Sequence, residues 1–272
     1  MGYSIFQNTM VDMTYPQIEE AIENGASVLL PVSVVEEHGP HLCTGTDIYL
    51  TQTMCEKIRS GLNAAGKPAV IAPPFYWGVN SITNGFVGSF IVRPDLMEAL
   101  LLEILSDLKR WGFEKIFLLN FHGDCVHIQT IAEAAKKAYE EKQIKTYFVN
   151  TAATFDQFGI SDNVPYLLRA ELSAEALSSM QHPYIDIHAG ATETNWMLLD
   201  YPEVVDEKLA RQMKPTSLML PQLKEWLRGG ETAKKYTPLG YFGAPGDIDF
   251  EKARFAQSET VKAYVQTICT VL

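Results

Sequence analysis

The residues best suited to chemistry fall in three short clusters. Glu36-Glu37-His38-Gly39-Pro40-His41, closely followed by Gly45-Thr46-Asp47, comes directly after an apolar run rich in valine and leucine. Asn120-Phe121-His122-Gly123-Asp124 follows a second such run, and Asp186-Ile187-His188-Ala189-Gly190-Ala191-Thr192-Glu193-Thr194 again mixes imidazole and carboxylate with small residues. Two residues apart in an extended segment, Glu36 and His38 point to the same side. Mixed nitrogen and oxygen donors suit zinc, manganese or iron, whereas magnesium and calcium prefer oxygen alone. Such a centre acidifies water and polarises a carbonyl, the requirements for hydrolysis without a protein nucleophile. Cys125 and Ser81 have no base placed beside them by a recognisable motif and are not expected to act as nucleophiles.

The elements that must position these clusters read as α/β. Thr14 and Pro16 open a helix that Asn24-Gly25 stops. The run over 26–35 has the pattern of a strand buried on both faces of a parallel sheet. Helices are expected from about 47 to 61, over 94–111, from 128 to 142 and over 250–272, with strands over 69–72, 115–120 and 145–150. Pro73-Pro74 ends the second strand, and the glycines from Gly78 to Gly88 mark a long loop. The carboxyl ends of parallel strands form the crevice where ligands bind, so clusters placed at three strand ends would converge. His127 and His182 are expected to be hydrogen-bonded loop histidines, and His41 to orient a neighbouring ligand. Phe75, Tyr76 and Trp77 read equally as core or as a substrate wall.

The 272 residues, 47% hydrophobic and 20% charged, suit one globular domain over 1–272. A formal net charge of -11 argues against nucleic acid or an anionic membrane as partner and for a small-molecule substrate. Cys43, Cys55, Cys125 and Cys269 form no C-x-x-C pair, which points to neither a zinc knuckle nor a disulfide framework. Residues 1–13 lack the basic and apolar regions of a leader, and no apolar run reaches the ~18 residues that span a bilayer. A cytoplasmic location is the expectation.

Taken together, Leu30-Pro31-Val32, Glu36-x-His38-Gly39-Pro40-His41 and Gly45-Thr46-Asp47 resemble the first metal-binding motif of the creatininase (creatinine amidohydrolase) family. Asn120-x-His122-Gly123 resembles the second motif and His188-Ala189-Gly190-x-x-Glu193-Thr194 the third. Gly78-Val79-Asn80-Ser81, Phe86-x-Gly88-Ser89 and Gly243-x-Pro245-Gly246 are similar to further landmarks, so the resemblance spans nearly the whole chain.

The resemblance implies a three-layer αβα fold with a central, mostly parallel sheet, a homohexamer, and two divalent metal ions that hydrolyse a cyclic amide or related C–N bond. It implies that Glu36 and His122 bind one metal and His38 the other, that Asp47 bridges them, and that His188 shuttles protons. Creatinine-hydrolysing members carry glutamate at the position of Asp124, so the last ligand lies between Asp124 and Glu193, with the longer Glu193 favoured. They also carry tryptophan where this chain has Tyr184, which argues against creatinine as substrate. Tyr184, Trp77 and Ser81 are the positions expected to face substrate. The alternatives are a formamide or C–C bond in a sugar- or pyrimidine-derived substrate, or a metal-stabilised assembly protein without turnover.

Overall fold

The computed structural model describes residues 4–160 and 163–272; residues 1–3, part of the segment read for a leader, lie outside them. Five strands, β1 (Ser27–Pro31), β2 (Ala69–Ile71), β3 (Lys115–Leu119), β4 (Lys145–Thr151) and β5 (Leu167–Ala170), form one sheet in the order β2-β1-β3-β4-β5. Every neighbouring pair is parallel, with Leu29 opposite Ile71 and Phe117, and Leu118 opposite Phe148. Parallel neighbours need crossovers, and helices supply the long ones. Helix α1 (Tyr15–Glu23) comes ahead of the sheet, and the crossovers carry α2 (Thr46–Ala64) after β1, α3 (Pro94–Trp111) after β2, α4 (Cys125–Glu140) after β3 and the short α5 (Ala152–Gln157) after β4. Beyond β5 come α6 (Ala174–Ser179), α7 (Ala191–Asp200), α8 (Glu207–Ala210), α9 (Leu220–Trp226), α10 (Gly230–Tyr236) and α11 (Phe250–Cys269).

The layers follow from the two-residue period of a strand. Val28, Leu30, Ile116, Leu118 and Phe148 face one way and pack with Met97, Leu101 and Leu105 of α3 and Ile131 of α4. Leu29, Phe117, Leu119, Tyr147 and Val149 face the other way, onto Ile58 and Leu62 of α2 and Tyr264 and Ile268 of α11. A sheet covered by helices on both faces is the expected three-layer α/β fold. α3 has the expected bounds because Pro94 opens it and Gly112, at φ 116°, closes it in the left-handed conformation.

Departures from expectation have local causes. The first strand stops at Pro31, which has no amide hydrogen to extend the ladder; beyond it Val32 and Val34 make only isolated bridges to Phe75 and Trp77. α4 begins at Cys125 instead of Ile128, because the Asp124 carboxylate accepts the His127 amide 3.0 Å away and caps the helix early. The third cluster does not follow a strand of the sheet. It lies in a loop that runs into the first turn of α7, and in that loop His188 forms an isolated antiparallel bridge with Phe242. Among the described residues no helix is long and apolar enough to cross a membrane.

Two neighbouring leucines of α3 test this layering, since Leu101 is fully buried and Leu100 is 45% exposed. Leu101→Ala is expected to cost about 2–5 kcal/mol in urea denaturation and Leu100→Ala no more than about 0.5. Equal losses would contradict the assigned faces.

Candidate metal centre

Three loops deliver donors to one buried point. After β1 the chain leaves the sheet carrying Glu36 and His38, turns back so that the Thr44 carbonyl accepts the Glu36 amide, and enters α2 with Asp47 in its first turn. His122 lies between β3 and α4; His188 and Glu193 flank the start of α7. Glu36, His38, Asp47, His122 and His188 are all buried, and Glu193 is partly so.

Their donor atoms form overlapping groups within which all lie no more than 4.8 Å apart: Glu36, Asp47 and His122; His38, Asp47 and Glu193; and Glu36, His38 and His188. His122 Nδ1 stands 3.1 Å from Glu36 Oε2 and 3.0 Å from Asp47 Oδ2. His38 Nε2 stands 3.4 Å from Asp47 Oδ1 and 3.7 Å from Glu193 Oε2. Each oxygen of Asp47 therefore faces a different imidazole. Backbone carbonyls orient both rings: the Glu36 carbonyl is 3.0 Å from His38 Nδ1, and the Val79 carbonyl is 3.2 Å from His122 Nε2. The outer nitrogen donates to the carbonyl, leaving the inner one aimed at the carboxylates.

Among the described residues, Glu36 Oε2, His38 Nε2 and Asp47 Oδ2 are buried without a hydrogen-bond partner. Buried polar atoms are rarely left so, and three aimed at one point fit a cation. The electrostatics agree. Burial opposes protonation of His38 and His122, but Asp47 and Glu193 around the first, and Glu36 and Asp47 around the second, outweigh it and raise both well above the usual imidazole range. Burial likewise opposes ionisation of Asp47, yet His38 and His122 hold it well below the usual carboxylate range. The cluster thus demands positive charge at its centre, which protons or a divalent cation can provide, and metal binding at such donors releases protons.

Further residues fix the loops. Thr83 donates its hydroxyl to Glu36 Oε1 at 2.5 Å. The Val79 peptide, whose carbonyl faces His122, offers its N–H to His127 Nδ1 at 3.2 Å. His127 is kept neutral by burial and by the charge of His122. Asp124 is committed elsewhere: besides capping α4, it accepts the Ser81 amide at 2.7 Å and hydroxyl at 2.5 Å. It belongs to none of the donor groups, whereas Glu193 does. His41 bonds Thr194 Oγ1 at 2.9 Å and so ties the first loop to α7 next to Glu193. Burial, followed by the charges of His38 and His188, lowers its pKa to about 4. His188 donates from Nε2 to the Glu37 carbonyl at 2.8 Å, placing its Nδ1 4.0 Å from Glu36 Oε1. Gly240, at φ 72°, is required here, since a Cβ would sit 1.9 Å from Glu37 Oε2.

A cavity of about 390 Å³ opens onto the centre, with Glu36, His122, His188 and Glu193 in its wall. Of the three positions expected to face substrate, Ser81 lines it and Trp77 and Tyr184 do not. Trp77 packs edge-on against Phe90, and the Tyr184 hydroxyl is taken by Asp247 and His182. His182 stacks on Tyr184 and belongs to none of the donor groups. The apolar wall comes instead from Ile82, Ile187, Leu223, Trp226 and Leu227, none of which the sequence singled out as wall residues. Trp226 lies 6.1 Å from His188, ring to ring. It stands in a seven-residue helix that the sequence analysis did not anticipate, with no ligand motif nearby.

Comparison with known proteins bears on the chain as a whole. The family model described as "Creatininase: Creatinine amidohydrolase" matches residues 11–268. The chain is 25% identical to a 3-dehydro-scyllo-inosose hydrolase of Thermotoga maritima, over 96% of this chain and 79% of the relative. It is 27% identical to a mycofactocin precursor peptide peptidase of Mycobacterium ulcerans, over 89% and 84%. A crystal structure of creatinine amidohydrolase superposes with a TM-score of 0.71 over 97% of both chains at 20% identity, a likeness of fold. With a family match running from ahead of α1 to near the end of α11, this chain belongs to the creatininase family.

Proposed function

We propose that this protein is a metal-dependent hydrolase that attacks a C–N bond of the amide type at a centre of two divalent ions. One observation carries the reading: two donor triads, Glu36-Asp47-His122 and His38-Asp47-Glu193, share a carboxylate whose two oxygens face different imidazoles. Glu36 and His122 would hold one ion, His38 and Glu193 the other, and Asp47 both. Zinc, manganese or iron suits the mixed donors. Bound there, divalent ions would supply Lewis acidity to a carbonyl and lower the pKa of a water towards about 7.

The chain's own residues do the rest. His188 is anchored through Nε2 to the Glu37 carbonyl, so Nδ1 is the atom that can hold a proton and pass it to the leaving nitrogen. Trp226 flanks His188, and with Leu223 and Ile82 it gives the cavity an apolar wall that disfavours water. The open cavity favours turnover over a purely structural ion, whose coordination would be closed. The relatives' names span an inosose derivative and a precursor peptide, so the family alone does not choose the bond. Hydrolysis of a formamide or a C–C bond remains the competing chemistry, tested by assaying the same loaded protein on both classes.

Assembly into a homo-oligomer, a hexamer as the family resemblance implies, is part of the proposal. Val87, 98% exposed, stands in a loop with the exposed Trp77, Phe90 and Ile91, an apolar surface that a second copy would cover.

Metal titration followed by elemental analysis tests the ligand set. Two equivalents are expected per chain, with Asp47→Ala losing both, Glu193→Gln weakening one at least about tenfold, and Asp124→Asn changing affinity little. A stronger effect of Asp124→Asn than of Glu193→Gln would reverse the last assignment. His188→Ala is expected to keep both metals and lose about 10²- to 10⁴-fold in kcat on whichever amide the loaded protein hydrolyses; loss of metal would make His188 a ligand. Light scattering should give a mass of six chains, and Val87→Asp combined with Phe90→Asp a smaller species. A monomeric parent protein would overturn the assembly.

A further inference from the structure

A second chamber of about 360 Å³ adjoins the one over the metal centre, and the two share His122, Gly123, Gln157, Phe158 and Ile187 in their walls. The two adjoin along these residues, the first over the donor cluster and the second at the carboxyl ends of β3 and β4. The second has an apolar wall of Phe121, Leu172, Leu177, Met180 and Trp196, with Asn150, Thr151 and Thr154 as neutral polar groups.

Gly123 stands at the junction. Its backbone is outside the left-handed region, and a Cβ built there would meet nothing within 4 Å. Neither conformation nor packing against this chain calls for glycine, so the free space in front of it is the feature that its small size preserves. Among the described residues neither chamber is lined by lysine or arginine. Asp186, the acid of the second chamber, is spent on the amides of Ala191 and Thr192 at 2.8 and 2.9 Å. An anionic group would find no counter-charge there, while an apolar one would find a matching wall.

Resting on the hydrolase reading, we infer that the substrate is an elongated acyl compound whose scissile bond lies at the metal centre and whose uncharged, apolar arm passes Gly123 into the second chamber. A lone small ring would leave that chamber filled with water. The second chamber is therefore a specificity subsite for an apolar substituent of aryl or branched alkyl size, and Leu177 and Met180 of the α6 region form its outer wall.

Hydroxamates bind metal centres without being turned over, so they test this without knowledge of the substrate. Acetohydroxamate reports the centre alone, and 4-phenylbutanohydroxamate adds an uncharged arm; both are titrated calorimetrically into the zinc-loaded full-length protein. The arm is expected to tighten binding about 10- to 100-fold. Leu177→Asp, at a position 43% exposed and so tolerant of the change, should remove most of that gain while leaving acetohydroxamate unchanged. Gly123→Val should narrow the passage and likewise discriminate against the arm. If acetohydroxamate binds but the arm adds nothing, or if its gain survives both substitutions, the subsite is refuted and the metal centre stands. If acetohydroxamate fails to bind the metal-loaded protein, the hydrolase reading falls, and the subsite with it.

Discussion

Asp47 is 1% exposed and lies between two imidazoles and two further carboxylates, and the cost of holding that much charge away from water constrains everything around it. A lone buried carboxylate is unfavourable by many kcal/mol and would take up a proton instead. Asp47 stays ionised because His38 and His122 approach it from opposite sides, and those rings can do so only if their outer nitrogens are satisfied. The Glu36 and Val79 carbonyls satisfy them. The electrostatics of the centre are thus inseparable from the path of two loops.

Those loops are held by the parallel sheet. Because β1 and β3 are adjacent and run the same way, their carboxyl ends lie side by side, and Glu36, His38 and His122 leave the sheet as neighbours. The third loop has no strand to deliver it. Its position depends on pairing with Phe242 and on glycines that let backbone approach buried carboxylates: a Cβ at Gly190 would lie 1.8 Å from Asp186 Oδ1. Ala189, between His188 and Gly190, adopts φ 48°, a conformation a non-glycine residue takes at some cost. The part of the centre least supported by regular structure is also the part where the backbone is most constrained.

Much of this was legible in the sequence, and the illegible part has a physical pattern. β1, β3 and α3 announce themselves through continuous apolar runs, a helical stripe, and proline and glycine at the ends. The donors of the first two clusters stand where buried strands end, and the family motifs name them together. β5 is four residues long, carries Arg169, and shows no alternation. The helices from α6 to α10, apart from α7, have only four to seven residues, too few for a helical period to stand out. The cavity wall they supply, including Trp226, was hidden for that reason. Trp77 and Tyr184 show the converse: their type suggested substrate contact, but a side chain's direction depends on tertiary neighbours, here Phe90 and Asp247.

The Val79 peptide, gripped by His127 on its N–H and by His122 on its carbonyl, makes its contribution with atoms that every residue type except proline possesses in full. Its buried side chain answers only to volume. An aliphatic residue of similar volume at position 79 would leave the ring of His122 aimed, because what matters there is a path of the main chain, with no letter of its own in the sequence.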